Sequence, residues 1–319
     1  VLHKTHIRSR EAGLALIDFL CQRFPYHSKE VWLEKIQIGQ IKIANQSTFS
    51  LYCLNLGDEI YYEAKEIDEP PVNWNYKILW ENDRLLAIDK PPNLVIHPAG
   101  RYRNNTLLSA LRRQFQDCQP VHRIDRETSG IVLFTKEKRF GSIYQKLFED
   151  RKVNKKYLTL VHGNCPKEFE ACGYLAKDYR SHVRKKMKFS FAKVGDLERE
   201  VETLFKKLQY IEEADWSLLL AIPKTGRLHQ IRATLYSLGY PIVGDKLYGL
   251  DERKFLQFAK TGEISDLDFP RQALHSYSLE FKDPFDNQWM QFSSQIPKDW
   301  IELNPILNNS LLNGDIRLS

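Results

Sequence analysis

Between Leu14 and Tyr62 the apolar positions change their period. Leu14, Leu16, Ile17 and Leu20, and then Val31, Trp32 and Ile36, are spaced as the buried faces of two helices. Ile41-Lys42-Ile43 and Ile60-Tyr61-Tyr62 alternate as short strands do, with Gly57-Asp58 as a turn before the second. The pattern predicts two helices followed by a small sheet. The next stretch, Glu63 to Asn75, is acidic and contains Glu69-Pro70-Pro71-Val72-Asn73, which favours extended backbone over packing. A small domain is expected over residues 1–66 and a linker over 67–75.

From Tyr76 the pattern shifts to longer strands. Ile78-Leu79-Trp80 and Leu85-Leu86-Ala87-Ile88 flank a turn at Glu81-Asn82-Asp83, and Ile131 to Phe134 and Leu218 to Ile222 read as buried strands. Helical spacing returns at Ile143, Leu147 and Phe148, and again at Ile231, Leu235 and Leu238. Leu274 to Phe281 and Trp289 to Phe292 flank Pro284-Phe285-Asp286-Asn287 as a hairpin would. Helices interspersed among hairpin-connected strands predict an α+β domain over 76–319, built on a mixed, largely antiparallel sheet.

Composition narrows the setting. Hydrophobic residues make up 42% and charged residues 28% of 319 positions, and no apolar run approaches the roughly 20 residues of a membrane helix. The first residues lack an apolar signal core, and five cysteines without C-x-x-C spacing fit a reducing compartment. A cytoplasmic protein without a membrane partner is expected. The net charge of +6 is unevenly spread: residues 101–200 hold 23 Lys+Arg against 12 Asp+Glu, while both flanking segments are slightly acidic. Such an excess suits either a polyanion-binding face or an ordinary solvated surface.

Familiar cofactor signatures are missing: no phosphate-binding G-x-x-x-x-G-K-[ST], no G-x-G-x-x-G after a strand, no H-E-x-x-H, and no histidine at ligand spacing from a cysteine. No cofactor or metal is expected. The densest polar cluster is His122-Arg123-Ile124-Asp125-Arg126-Glu127-Thr128-Ser129-Gly130, leading into the apolar run Ile131 to Phe134. Asp125 between two arginines would stay ionised and could serve as a nucleophile, or could simply tie down a turn by ion pairs. A second cluster, Thr225-Gly226-Arg227-Leu228-His229-Gln230-Ile231-Arg232, opens a helix and is followed by Tyr240 to Gly249. Arginines at a helix start oppose the helix dipole, so a carboxylate or phosphate should compensate them. The third, Asn154-Lys155-Lys156-Tyr157, sets an aromatic among cations at a strand start, where it can stack a base or be an ordinary half-buried residue.

These clusters, in this order, resemble the RluA-type pseudouridine synthases over about Tyr76 to Phe292. The resemblance implies that Asp125 is the catalytic aspartate, that Tyr157 is the active-site tyrosine, and that Arg232 pairs with the aspartate. Arg123 is implied to fill the space left by an extruded base, and Arg126, Lys155 and Lys156 to contact RNA. Leu274 is implied as an apolar pocket wall, or is plain core. Residues 78–98 resemble the family's opening motif, with Asp89 for the common asparagine and Asn93 for the common glycine; Thr159 stands where alanine is common. Residues 14–62 resemble a small ribosomal-protein-type RNA-binding domain, in which Gly39 to Gln46 would be the characteristic turn.

The implied reaction is isomerisation of uridine to pseudouridine in structured RNA by an aspartate and base flipping. Large-subunit ribosomal RNA is the expected partner and transfer RNA the alternative, with the enzyme acting as a monomer. Two other readings compete: a base-excising glycosylase, which would release free uracil, and a catalytically silent RNA-binding protein, which would need none of Asp125, Tyr157 and Arg232.

Overall fold

Leu16–Arg23 (α1) and Lys29–Gln37 (α2) are the two helices that the apolar spacing predicts. They bury Leu16, Ile17, Phe19 and Leu20 from the first and Trp32 and Ile36 from the second, over Ile41, Ile43, Leu54 and Ile60. The computed structural model describes residues 2–24, 27–44, 48–63, 69–183, 185–193, 195–249, 253, 255–256, 258 and 267–303. The chain separates into two units, residues 1–69 and 70–319. In the first, Leu2–His6 (β1), Ile41–Ile43 (β2) and Glu59–Glu63 (β3) form an antiparallel sheet in the order β1-β3-β2. β1 has little apolar alternation and was not expected; its strand state comes from pairing with β3, from Leu2↔Glu63 to His6↔Glu59. Asn45 and Gln46 of the expected turn, and positions 67 and 68 of the expected linker, lie outside the described residues.

The second unit is α+β. Its sheet contains Lys77–Glu81 (β4), Leu85–Lys90 (β5), Gln119–Pro120 (β6), Ser129–Thr135 (β7), Asn154–His162 (β8), Glu168–Lys177 (β9), Met187–Ser190 (β10), Arg199–Ile211 (β11), Trp216–Pro223 (β12), Leu274–Lys282 (β13) and Trp289–Ser293 (β14). The order is β10-β9-β11-β12-β8-β13-β7-β5-β4, with β14 on β13 and β6 on β7. Of these pairings only β13 with β7 is parallel. The helices are Leu107–Arg112 (α3), Lys138–Glu149 (α4), Gln230–Ser237 (α5) and Lys298–Leu303 (α6).

Strand alternation divides the apolar residues of β5 and β7 between two cores. Leu85, Ala87, Ile131 and Leu133 pack with Tyr144 of α4, whereas Leu86, Ile88, Val132 and Phe134 pack with Leu107 and Leu111 of α3. A strand covered on both sides must read as a continuous apolar run, as 131–134 does. On α4 the buried aromatic is Tyr144, which donates its hydroxyl hydrogen to Asp283 at 2.7 Å; Ile143, expected on the core face, is 39% exposed. A third core gathers around β8, β11, β12 and α5.

Two details position the site. From Pro70 onward the proline-containing run is tied to this unit: Asn93 and Asn105 side-chain amides donate to the carbonyls of Pro71 and Pro70, and Val72 packs with the α3 core. Asn93 has φ 56°, a left-handed conformation that explains why glycine or asparagine suits this place. Gly130 has φ 101° and faces Ser276 across the parallel pairing; a Cβ there would lie 2.2 Å from the Ser276 carbonyl oxygen. Only glycine lets the loop carrying Asp125 enter the sheet beside β13.

Candidate active site

Five chain segments converge on one cleft of about 610 Å³. They are the loop before β7 (122–128), the end of α4 with the turn after it, the start of β8, the connection from β12 into α5, and the start of β13 at Leu274. Asp125 lies in this cleft with 22% of its side chain exposed, and Arg232 Nη1 donates to its Oδ2 at 2.7 Å. Arg232 is buried, and its Nε and Nη2 donate to Asp245 Oδ2 and Oδ1 at 2.7 and 2.8 Å. Asp245 Oδ1 also accepts the backbone N–H groups of Leu247 and Tyr248. The guanidinium fork is thus fixed by one carboxylate and presents its remaining arm to the other.

The charges of this trio support one another. Burial works against ionised Asp125, but Arg232, aided by His229, outweighs it and holds the carboxyl below its ordinary range. Burial likewise works against charge on Arg232, and the two aspartates overcome it. His229 is pushed down to about 4 by burial and by Arg232, so it is neutral at pH 7. The Tyr248 hydroxyl accepts the Met187 N–H and lies 3.0 Å from His229 Nδ1, while His229 Nε2 lies 3.9 Å from Asp125 Oδ1.

Gln230 shapes the β12–α5 connection. Its Oε1 accepts from the Thr225 hydroxyl at 2.8 Å and the Arg227 N–H at 3.0 Å, while Nε2 donates to Glu202 O and Thr203 Oγ1. His122 holds the opposite wall: its Nε2 accepts from the Leu133 N–H, its ring stacks on Phe148, and burial lowers its pKa to about 3.

The structure brings Asp125, Tyr157, Arg232, Arg123, Lys155 and Leu274 to the cleft. Tyr157 is pushed up to about 12 by burial, so the site presents a phenol and a ring face. Arg123 is exposed at the rim, its Nη1 donating to His97 Nε2 at 3.3 Å. Lys155 is not the surface cation that was expected. It is buried, donates to the Thr225 carbonyl at 3.0 Å, and is lowered to about 8 by burial and by Arg151.

Two expected RNA contacts fall outside the cleft. Arg126 donates to the Tyr102 hydroxyl and to Glu127, and its guanidinium lies over Phe258. Lys156 follows Lys155 on β8, and strand alternation turns it to the other face of the sheet from Tyr157 and Lys155. Sequence reasoning gave no role to His229, Gln230 or Asp245, although all lie in quoted clusters. Asp245 was the available signal, an acid next to a glycine following a motif rich in arginine.

Residues 84–237 match the family model described as RNA pseudouridylate synthase. The chain is 29% identical over 297 residues to the ribosomal large subunit pseudouridine synthase C of Vibrio parahaemolyticus, covering 89% of each. It is 26% identical over 253 residues to the mitochondrial tRNA pseudouridine(32) synthase of Saccharomyces cerevisiae, covering 78% of this chain and 54% of the relative. A human pseudouridylate synthase is 28% identical, covering 77% of this chain and 44% of the relative; the chain spans about half the length of this protein and its mouse counterpart. The human RNA pseudouridylate synthase domain containing 1 shares the fold, with a TM-score of 0.56 and 24% identity over 71% of this chain and 86% of that one.

Proposed function

We propose that this protein isomerises uridine to pseudouridine in RNA, with Asp125 as the catalytic carboxylate. The observation that carries this reading is the 2.7 Å contact between Asp125 and Arg232 within a cleft that also holds Tyr157. The reaction needs a carboxylate ionised at neutral pH beside the ribose, and the Arg232 contact favours that state. The bond from C1′ to N1 of uracil breaks, the base turns, C1′ bonds to C5, the C5 proton leaves, and N1 takes up a proton. Atoms balance without a cofactor.

A stacked uridine cannot reach Asp125, so it must be extruded at a cost of a few kcal/mol. Arg123, exposed at the rim, takes the vacated space. Tyr157 and Leu274 offer a ring face and an apolar wall to the uracil. With its pKa raised, Tyr157 acts through its ring and O–H, since a phenolate base is disfavoured there. Large-subunit ribosomal RNA is the preferred target, supported by relatives from Vibrio and Pseudomonas that carry that name; the yeast relative keeps transfer RNA as the second reading. Residues 1–69 are assigned to RNA binding, and the enzyme is taken to work as a monomer in the cytoplasm. Among the described residues no helix is long and apolar enough to cross a membrane.

Asp125→Asn tests the assignment. It should bind RNA as the parent does while tritium release from C5-labelled uridine falls at least about 10³-fold. Near-normal turnover would remove Asp125 from the mechanism, and free uracil as product would favour a glycosylase. Mapping pseudouridines in RNA from cells lacking the protein identifies the target.

A further inference from the structure

Charge in the cleft is out of balance. Its lining includes Arg123, Arg151, Lys155, Arg227 and Arg232 but only two carboxylates, Asp125 and Glu149. Arg232 is satisfied by Asp125 and Asp245, and Lys155 by the Thr225 carbonyl. Arg151 and Arg227 are both exposed, and among the described residues neither side chain has a hydrogen bond or an ion pair. They approach the cleft from different loops, one after α4 and one before α5. The compensating anion required at the start of α5 is therefore present for Arg232 and missing for Arg227.

The backbone at Arg151 adds an independent observation. α4 ends in a Schellman bracket, with the Lys152 N–H bonded to Leu147 O at 2.8 Å and the Arg151 N–H to Phe148 O at 3.2 Å. Arg151 occupies the left-handed position of that motif, with φ 57°. Glycine takes this conformation without strain, and arginine does not. A residue that the local backbone disfavours, whose side chain makes no hydrogen bond or ion pair among the described residues, is suited to a partner outside the protein.

We infer that Arg151 and Arg227 form a phosphate clamp, holding the phosphodiester groups that flank the nucleotide in the cleft. A uridine in RNA is neutral at the base and carries one phosphate on each side, so two separated guanidinium groups match its charge. Lys155 supports the clamp indirectly by fixing Thr225, two residues before Arg227. The inference rests on the proposed function only in naming the anion as RNA backbone.

The test uses the full chain and a fluorescein-labelled twelve-nucleotide oligouridylate, with affinity measured by anisotropy across a salt series. Arg151→Gly and Arg227→Gln should each flatten the log-log salt slope by about 0.7, and the double variant by about twice that. Lys282→Gln, an exposed lysine at the far end of β13, controls for general charge and should leave the slope unchanged. Arg151→Gly should also melt at or above the parental temperature, because it relieves the left-handed strain; weaker binding by a protein at least as stable is not what a structural role predicts. Slopes equal to that of Lys282→Gln, or no binding by the parent, overturn the clamp. Turnover is scored separately on ribosomal and transfer RNA from cells lacking the protein: a flattened slope with no pseudouridine formed in these RNAs by the parent would sustain the clamp and reject the isomerase reading.

Discussion

At the scale of single residues, the site depends on how a buried arginine is shared. Arg232 spends two donors on Asp245 and one on Asp125, so its orientation is fixed by a residue that does not itself line the cleft. Asp245→Asn keeps the shape but removes the charge that holds the fork. Turnover should fall by about 10²-fold with KM little changed, because a small misplacement of the Asp125 partner acts on the chemical step. Steady-state kinetics on RNA separate the two parameters, and a loss confined to KM would contradict this role. The aspartate, the tyrosine and the arginine were all legible as motif residues. Which cations were free was not: Lys155 and Arg126 look like RNA contacts in sequence, and only packing reveals that a carbonyl and a tyrosine hydroxyl already occupy them.

Among the elements, those buried on both sides were the easiest to read. β7 and β12 are uninterrupted apolar runs because neither side faces water. β11 was passed over, since polar Thr203 lies on the buried face with Val201 and Phe205 and apolar Leu204 on the other, which blurs the alternation. β1 was missed because its partner, rather than its own pattern, makes it a strand. The parallel pairing of β7 with β13 depends on Gly130, and Gly130→Ala combines an unfavourable φ with a backbone clash. It should cost about 3 kcal/mol or more, enough to lower the urea midpoint clearly. An unchanged midpoint would mean that the two strands separate easily.

For the molecule as a whole, acid should be more damaging than the carboxylates alone would suggest. His122 and His275 are pushed down to about 3 and His229 to about 4, all mainly by burial. Each lies below its unfolded value near 6.5, so the unfolded chain binds protons first as pH falls. The stability they contribute is complete above about pH 6.5 and is lost progressively toward pH 4. Urea unfolding at a series of pH values should show this decline, and His122→Gln should make it shallower. Division into two units also has a measurable consequence: residues 70–319 alone should give a cooperative melt by circular dichroism, with affinity for RNA reduced more than the chemical step. A chain that fails to melt cooperatively would show that the second unit needs the first.

The parallel pairing also governs when the cleft comes into being. Asp125 meets an arginine 107 positions later, and Ser129, just beyond it, bonds His275 across 146 positions. A ribosome adding about 5–20 residues per second needs roughly 7–30 s to cover that second interval. Throughout that time the aspartate loop has emerged without the strand that seats it. The loop that carries Asp125 is therefore seated only after His275 has been made.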